Sequence, residues 1–461
     1  MFPFRPVLAV TTITTALAAC PAASAAPAQP ADAFTESVGA NVHVMHGKSP
    51  YWSLEATRAA LKYVGIRHIR DGLRWYTTDE QRWYNAEQVT RLGSLARSGM
   101  ALDLLMPGPG TNTGTEAQAL AVAATLPGVA SIEAANEWDL NGPASTWPAE
   151  VRAHTKTLRA LMRREDKLAQ VPLVAPGFGR NGSPAATGDL SGDVDYGNAH
   201  PYANGARPEM PEDPGAWGLQ RNIEAMRLVS GTRPFVLTEA GYHNAMNETV
   251  RQRPVDQATA AVYTTRMLLE HFRTGATRTY LYELADSWND QDAAHQEANW
   301  GLFTAAWKPK PAADAVRNLL NVLRDPAPSP RGAELGFSVT GGDANLRSMV
   351  FSRVGGGFTI VLWRPESIWN HATKQPIPVA DVPMTVTLGG TFADARVYRP
   401  TRGTGAFDTR QNVSTMPVAV GADPVLIDLR TAASPPRRHA TAQLLKAWWC
   451  WVAPKWCGPR R

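Results

Sequence analysis

At 461 residues, with 44% hydrophobic and 19% charged side chains, the chain is too long for one ordinary domain and too apolar for a disordered or fibrous protein. The formal charge of +5 invites a nucleic-acid partner, but six basic residues and no acidic one lie between Arg437 and Arg461. The rest of the chain is therefore close to neutral and offers no footprint for a phosphate backbone, which argues for no nucleic-acid partner.

The N-terminus has the build of an export signal: Arg5, a mostly apolar run over 7–19, then the small residues Ala23-Ser24-Ala25 that a signal peptidase reads. A second reading stays open beside it. Leu17-Ala18-Ala19-Cys20 is similar to a lipobox, in which Cys20 would carry a lipid anchor, although Pro21 directly after it is unusual there. Both readings predict a secreted or periplasmic protein, and no later stretch reaches the roughly 18 apolar residues that cross a bilayer.

From residue 34 to residue 325 short apolar runs alternate with longer helical stretches, the pattern of a parallel sheet. Strands are expected at 38–44, 66–72, 101–106, 130–136, 173–176, 196–200, 235–239 and 279–282, and helices at 54–64, 86–97, 116–125, 148–164, 257–272 and 311–323. Eight strands with intervening helices predict a (β/α)₈ TIM barrel. A proline-rich segment, Asp325-Pro326-Ala327-Pro328-Ser329-Pro330, then closes the domain. Residues 332–430 carry short β-type runs between glycine clusters and read as a small antiparallel β-sandwich. Residues 1–33 read as signal and linker, and 431–461 as a basic tail rich in tryptophan, in which Cys450 and Cys457 suit a small disulfide in an oxidising compartment. Two thiols without neighbouring histidines are too few for a closed zinc site, so no metal and no cofactor is implied.

In such a barrel the chemistry sits at the C-terminal ends of the strands. Two strands close on glutamate: Ala134-Ala135-Asn136-Glu137-Trp138 on the fourth, and Leu237-Thr238-Glu239-Ala240-Gly241 on the seventh. One such glutamate alone reads more readily as a salt-bridge partner. The pair carries more, because strands four and seven face each other, and two carboxyls about 5 to 5.5 Å apart are what retaining cleavage of a glycosidic bond requires. Glu133 shares the parity of Glu137, but a regular strand would set it roughly 13 Å deeper, so it reads as a buried structural carboxylate with a polar partner. Glu283, after Tyr282 on the eighth strand, is the alternative to Glu239 if the register is shifted, or a group that bonds the sugar.

These motifs resemble glycoside hydrolase clan A, with family 5 and family 39 as the nearest patterns, over about residues 38–323. The resemblance implies Glu137 as general acid/base and Glu239 as nucleophile, with Asn136 bonding the sugar 2-hydroxyl and Arg70, in Ile69-Arg70-Asp71, beside the nucleophile. It likewise implies that Tyr202, in His200-Pro201-Tyr202, supports the nucleophile, and that His43, in Asn41-Val42-His43, lines the subsite of the cleaved sugar. Trp138 and Trp288 stand among the aromatic residues above the barrel suited to stack on a sugar face. Clan members often place a tryptophan on the eighth strand; Trp288 lies slightly late for it, which leaves the floor of the sugar site open.

On electrostatic grounds Glu239, with Arg70 and Tyr202 near, suits the ionised member, and Glu137, with no cation beside it in sequence, suits the protonated one. The expected activity is double-displacement hydrolysis of a β-linked polysaccharide or oligosaccharide. A non-catalytic carbohydrate-binding barrel and a transglycosylase are the alternatives; a metal hydrolase is disfavoured, because His43 and His46 lack further ligands at other strand ends.

Overall fold

The computed structural model describes residues 24–76, 78–111, 115–209, 218–342 and 345–433. The apolar run read as an export signal, Cys20 and the tail with Cys450 and Cys457 lie outside the described residues, and no described helix is long and apolar enough to cross a membrane.

Eight parallel strands form the barrel: Val38–Asn41, His68–Gly72, Ala101–Leu105, Val129–Glu133, Leu173–Val174, Gly197–Ala199, Phe235–Ala240 and Ala276–Leu281. Each ladders with the next except the fifth with the sixth, and the last ladders with the first. Between the fifth and sixth the seam is a single bridge, Val174 to Tyr196, where Ala175 N–H donates to the Tyr196 carbonyl at 2.9 Å. All eight expected strands are present. The helix Leu54–Val64 is bounded by local chemistry at both ends: the Ser53 hydroxyl accepts from Ala56 N–H at 3.3 Å, and Gly65 takes the left-handed conformation at φ 88°. Helix Pro311–Leu323 starts on a proline and buries Val316, Leu319, Leu320 and Leu323 against Gln257–Arg273. Helix Leu219–Ser230 was not anticipated, although Ile223, Met226 and Val229 recur on its inner face.

Branched aliphatic side chains usually fill a barrel of this kind. Here the register sets Asn41 beside Arg70, Arg70 beside Asp103 and Asp103 beside Ser131, four neighbouring strands carrying polar or charged groups at one level. Such a layer is stable only if every member is bonded, which ties the interior to the site above it.

Glu334–Thr340, Arg347–Ser352, Phe358–Trp363, Val382–Tyr398, Asp408–Val420 and Val425–Arg430 build the second domain. The longest strand serves both halves: Thr385–Leu388 pairs with Phe337–Thr340, then the register shifts around Gly389-Gly390, and Asp394–Tyr398 pairs with Leu426–Arg430. The segment expected as a linker belongs here too. Ser24–Pro27 runs antiparallel to Glu334–Phe337, and Gln29–Pro30 adds a parallel pairing to Phe351–Ser352, the one departure from an all-antiparallel domain among the described strands.

The domains are joined through buried charge. Arg266, fully buried on Gln257–Arg273, donates through Nε and Nη2 to both oxygens of Glu209 at 2.7 and 2.5 Å; Trp363 Nε1 donates to the same carboxylate at 2.8 Å, and Arg266 Nη1 to the Glu366 carbonyl at 2.8 Å. Removing one side of a buried ion pair strands the other. Glu209→Ala is expected to cost about 3–5 kcal/mol, seen as a lower denaturant midpoint; a midpoint unchanged from wild type would show that the pair does not hold the domains.

Candidate active site

Arg70 organises the floor of the site. Buried on the second strand, it donates through Nε and Nη2 to the two oxygens of Glu133 at 2.6 and 2.9 Å, through Nη1 to Glu239 Oε1 and Asn41 Oδ1 at 2.8 Å each, and through Nη2 to Asn136 Oδ1 at 2.6 Å. Burial works against its charge, but Glu133 and Glu239 hold its pKa well above the ordinary value. Glu133 is fully buried and paired, as expected for a structural carboxylate. It is not remote, however: the fourth strand ends at Glu133 and the chain turns, so one guanidinium joins it to Glu239.

Glu239 also accepts from the Tyr202 hydroxyl, whose oxygen is 2.8 Å from Oε2. Burial and the neighbouring Glu239 charge raise the tyrosine, so it remains a donor. Glu137 stands past the end of the fourth strand with φ 45° and ψ 41°, a left-handed conformation uncommon for a residue with a side chain. Its Oε1 lies 2.9 Å from His200 Nδ1, from the sixth strand end. One oxygen of Glu137, one of Glu239 and one His200 nitrogen lie within 4.8 Å of one another. Two carboxylates and an imidazole can hold a metal, but Glu239 is already met by a guanidinium and a phenol, which supply its positive and donor surroundings.

His200 changes the electrostatic expectation for Glu137. Burial raises Glu137, but the imidazole outweighs it and the carboxyl falls below its usual range, while His200, opposed by burial, is raised by Glu239 and Glu137. The hydrogen-bond network locates the proton. Thr238 Oγ1 is 2.9 Å from Asn198 Oδ1 and 3.1 Å from Glu133 Oε1, both acceptors, so its hydroxyl donates there and accepts from His200 Nε2, 3.0 Å away. Nε2 thus carries hydrogen, and the 2.9 Å contact between Nδ1 and Glu137 needs one more proton, on either partner. The acid and the imidazole hold that proton jointly, from residues 63 positions apart.

A cavity of about 620 Å³ opens above these groups. Asn136, Glu137, His200, Tyr202 and Glu239 line it, together with Leu140, Phe178 and Gly179 near Glu137, and Tyr282, Trp300, Asn204, Arg251, Gln252, Gln296 and Glu297 elsewhere. Four residues expected at the sugar are elsewhere. Glu283 is fully buried, taking bonds from Tyr51 (3.1 Å) and Ser287 (2.9 Å) and facing His43 Nε2 at 3.2 Å. His43 itself is not among the residues lining the cavity, its ring centroid 5.9 Å from that of Tyr282, and Glu283 raises its pKa despite the opposing burial. Trp138 donates Nε1 to Glu150 at 2.7 Å and packs towards Trp147 and Phe178, because Gly108 and Gly142 leave room for its ring. Trp288 is 45% exposed and outside the wall.

Tyr282, directly after the eighth strand, instead stands at the cavity, its ring 6.0 Å from Trp300 and 6.5 Å from Tyr202. Its place at the strand end was the available signal. Arg251, Gln252, Gln296 and Glu297 come from irregular loops with no periodicity to read.

Solved structures with similar folds include a family 39 glycoside hydrolase from the gut symbiont Bacteroides cellulosilyticus (TM-score 0.58, 14% identity, 86% of this chain and 82% of that one). The GH39 enzyme from Xanthomonas axonopodis pv. citri superposes with a TM-score of 0.56 at 12% identity, covering 88% and 96%. A monomeric β-xylosidase from Caulobacter crescentus gives 0.54 at 13%, covering 89% and 98%. At these identities the likeness is one of fold. No protein-family model and no curated protein matches the sequence.

Below the site, burial and the adjacent Glu133 charge push Asp103 up to about 7, from 3.8. The folded chain therefore binds a proton there that the unfolded chain releases, so this stabilisation is complete below about pH 4 and is lost as pH rises through about 7. Asp103→Asn, which cannot ionise, should gain in unfolding temperature relative to wild type between pH 5 and pH 8. A difference that stays flat across that range would contradict the assignment.

Proposed function

We propose that the chain is a retaining glycoside hydrolase of the clan A kind, with Glu239 as nucleophile and Glu137 as general acid/base. The observation that carries this reading is the pair of carboxylates with oxygens within 4.8 Å and unlike surroundings. That spacing suits direct attack better than the wider pair of an inverting enzyme, whose carboxyls stand about 6.5–9.5 Å apart. Glu239, gripped by Arg70 and Tyr202, is an oriented anion able to attack the anomeric carbon. Glu137, sharing a proton with His200, can protonate the departing oxygen, and the glycosyl ester formed on Glu239 is then hydrolysed by a water that Glu137 deprotonates. Arg70 occupies the carbonyl of Asn136, which leaves the amide donors of Asn136 for a sugar hydroxyl.

The fold shared with family 39 enzymes and with a β-xylosidase favours a β-linked glycan or oligosaccharide as substrate, and the N-terminal signal favours action outside the cytoplasm. Tyr202, Tyr282 and Trp300 offer ring faces for the sugar.

A panel of aryl β-glycosides tests the roles. Glu239→Ala should lose activity on the order of 10⁴-fold or more. Glu137→Ala should keep the glycosylation step on activated leaving groups and, with azide, release a β-glycosyl azide. If both variants match an active wild type, the assignment is wrong; if the reactive wild type inverts configuration, the double-displacement mechanism is wrong.

A further inference from the structure

Two residues beyond Glu137, a carboxylate that no step above uses is buried in the joint between two loops. Asp139 is 1% exposed and outside the cavity wall. Its Oδ1 accepts from Gly179 N–H at 3.1 Å, and its Oδ2 from Arg180 N–H at 2.9 Å and from the Ser183 hydroxyl at 2.7 Å. Arg180 Nη1 returns a bond of 2.5 Å to the Asp139 carbonyl. The loop after the fifth strand is thus fastened to the short helix Trp138–Asn141 that follows Glu137.

The fastening bears directly on Glu137. Its N–H donates to the Gly177 carbonyl at 2.9 Å, and its own carbonyl accepts from Leu140 N–H at 2.9 Å. Gly179 passes so close that a Cβ there would meet Leu140 Cδ1 at 2.4 Å and the Glu137 carboxyl carbon at 3.3 Å. A left-handed backbone on a residue with a side chain persists only where its surroundings over-determine it. On the far side Trp138 is held by Glu150, so the residues just after Glu137 are anchored in two directions.

We propose that Asp139 is the positioning residue for the acid/base: by bonding the loop at Gly179–Ser183 it fixes the Glu137 carboxyl at the height of the departing oxygen. The proposal rests on the reading of Glu137 as acid/base. Asp139 takes no part in bond making. Without it, the Gly179 and Arg180 N–H groups and the buried Ser183 hydroxyl lose their acceptor, the loop relaxes from Glu137, and the carboxyl no longer meets the leaving group in line.

The test compares Asp139→Ala, Asp139→Asn and Glu137→Ala in the full chain, on two aryl β-glycosides of the reactive sugar, one with an activated 2,4-dinitrophenyl group and one with a poor leaving group. Displacements of about 1 Å at a reacting group can cost 10²-fold, so Asp139→Ala should lose roughly 10²-fold in kcat/KM on the poor leaving group. On the activated one, kcat/KM should stay within a few-fold of wild type and kcat should rise with azide. A merely structural role would lower both substrates together, and that result, or no loss on either, overturns the proposal. Asp139→Asn keeps the shape and the Oδ1 acceptor if the alanine variant does not fold. It should show a smaller loss of the same kind, with the alkaline limb of the pH profile moved to lower pH, because the Asp139 charge favours the protonated form of Glu137. Equal losses on both substrates with an unmoved limb overturn the proposal in this variant as well. If Glu137→Ala itself discriminates nothing between the leaving groups, the acid/base assignment has failed first.

Discussion

One buried guanidinium sets the terms for the rest of the barrel. Arg70 cannot shed its proton and cannot reach water, so its donors must all be met inside the fold. They are met by Glu133, Glu239, Asn41 and Asn136, drawn from the first, fourth and seventh strands. Lysine offers a compact point charge in place of the rigid fork and could not serve Glu133 in bidentate fashion while reaching Glu239. The anchoring of Glu239, the orientation of Asn136 and the pairing of buried Glu133 are consequences of the same ion.

From Glu133 the network continues upward through Thr238 and Asn198 to His200, and from His200 to Glu137. The two carboxylates of the site are therefore joined beneath the cavity by hydrogen bonds, although they lie on strands four and seven. Such an interior contributes less to stability than a packed aliphatic one, since desolvating ions offsets much of their attraction. Stability comes from elsewhere: the layer between strands and helices, where Val316, Leu319 and Leu320 are fully buried, and the core of the β domain around Ile360, Leu362 and Ile427. Apolar burial thus supports a polar interior that sets the arrangement of the candidate site.

The β domain contributes to the site's rim as well as to bulk. Trp369 donates to the Pro254 carbonyl at 3.0 Å and Lys374 to that of Met246 at 2.5 Å, at two points on the loop that presents Arg251 and Gln252. That loop is in turn joined to the loop after the eighth strand by Asn244 N–H to Asn299 and Asn247 N–H to Ala293, and Lys310, paired with Asp286 at 2.7 Å, lies beneath. These contacts place rim side chains on a braced scaffold, the condition for a defined binding geometry.

The barrel strands, most helices and the glutamates at the ends of strands four and seven were legible in the sequence, because periodicity and strand ends are written in near neighbours. Arg70 and Tyr202 could be assigned to Glu239 through the resemblance, and their bonds to it are present. Other features depended on distances that the chain order does not carry. Glu137 has no cation beside it in sequence, yet His200 lies against it from 63 residues away, and so where the proton rests was decided by folding. Glu283 and His43 took each other as partners away from the cavity lining, Trp138 turned into the space left by two glycines, and Tyr282 took a place at the cavity that Trp288 was expected to approach. The sequence alone determined which groups would stand at the top of the barrel. Which of them face the cavity, and in what protonation state, was settled only by tertiary packing, because burial and long-range hydrogen bonds set both.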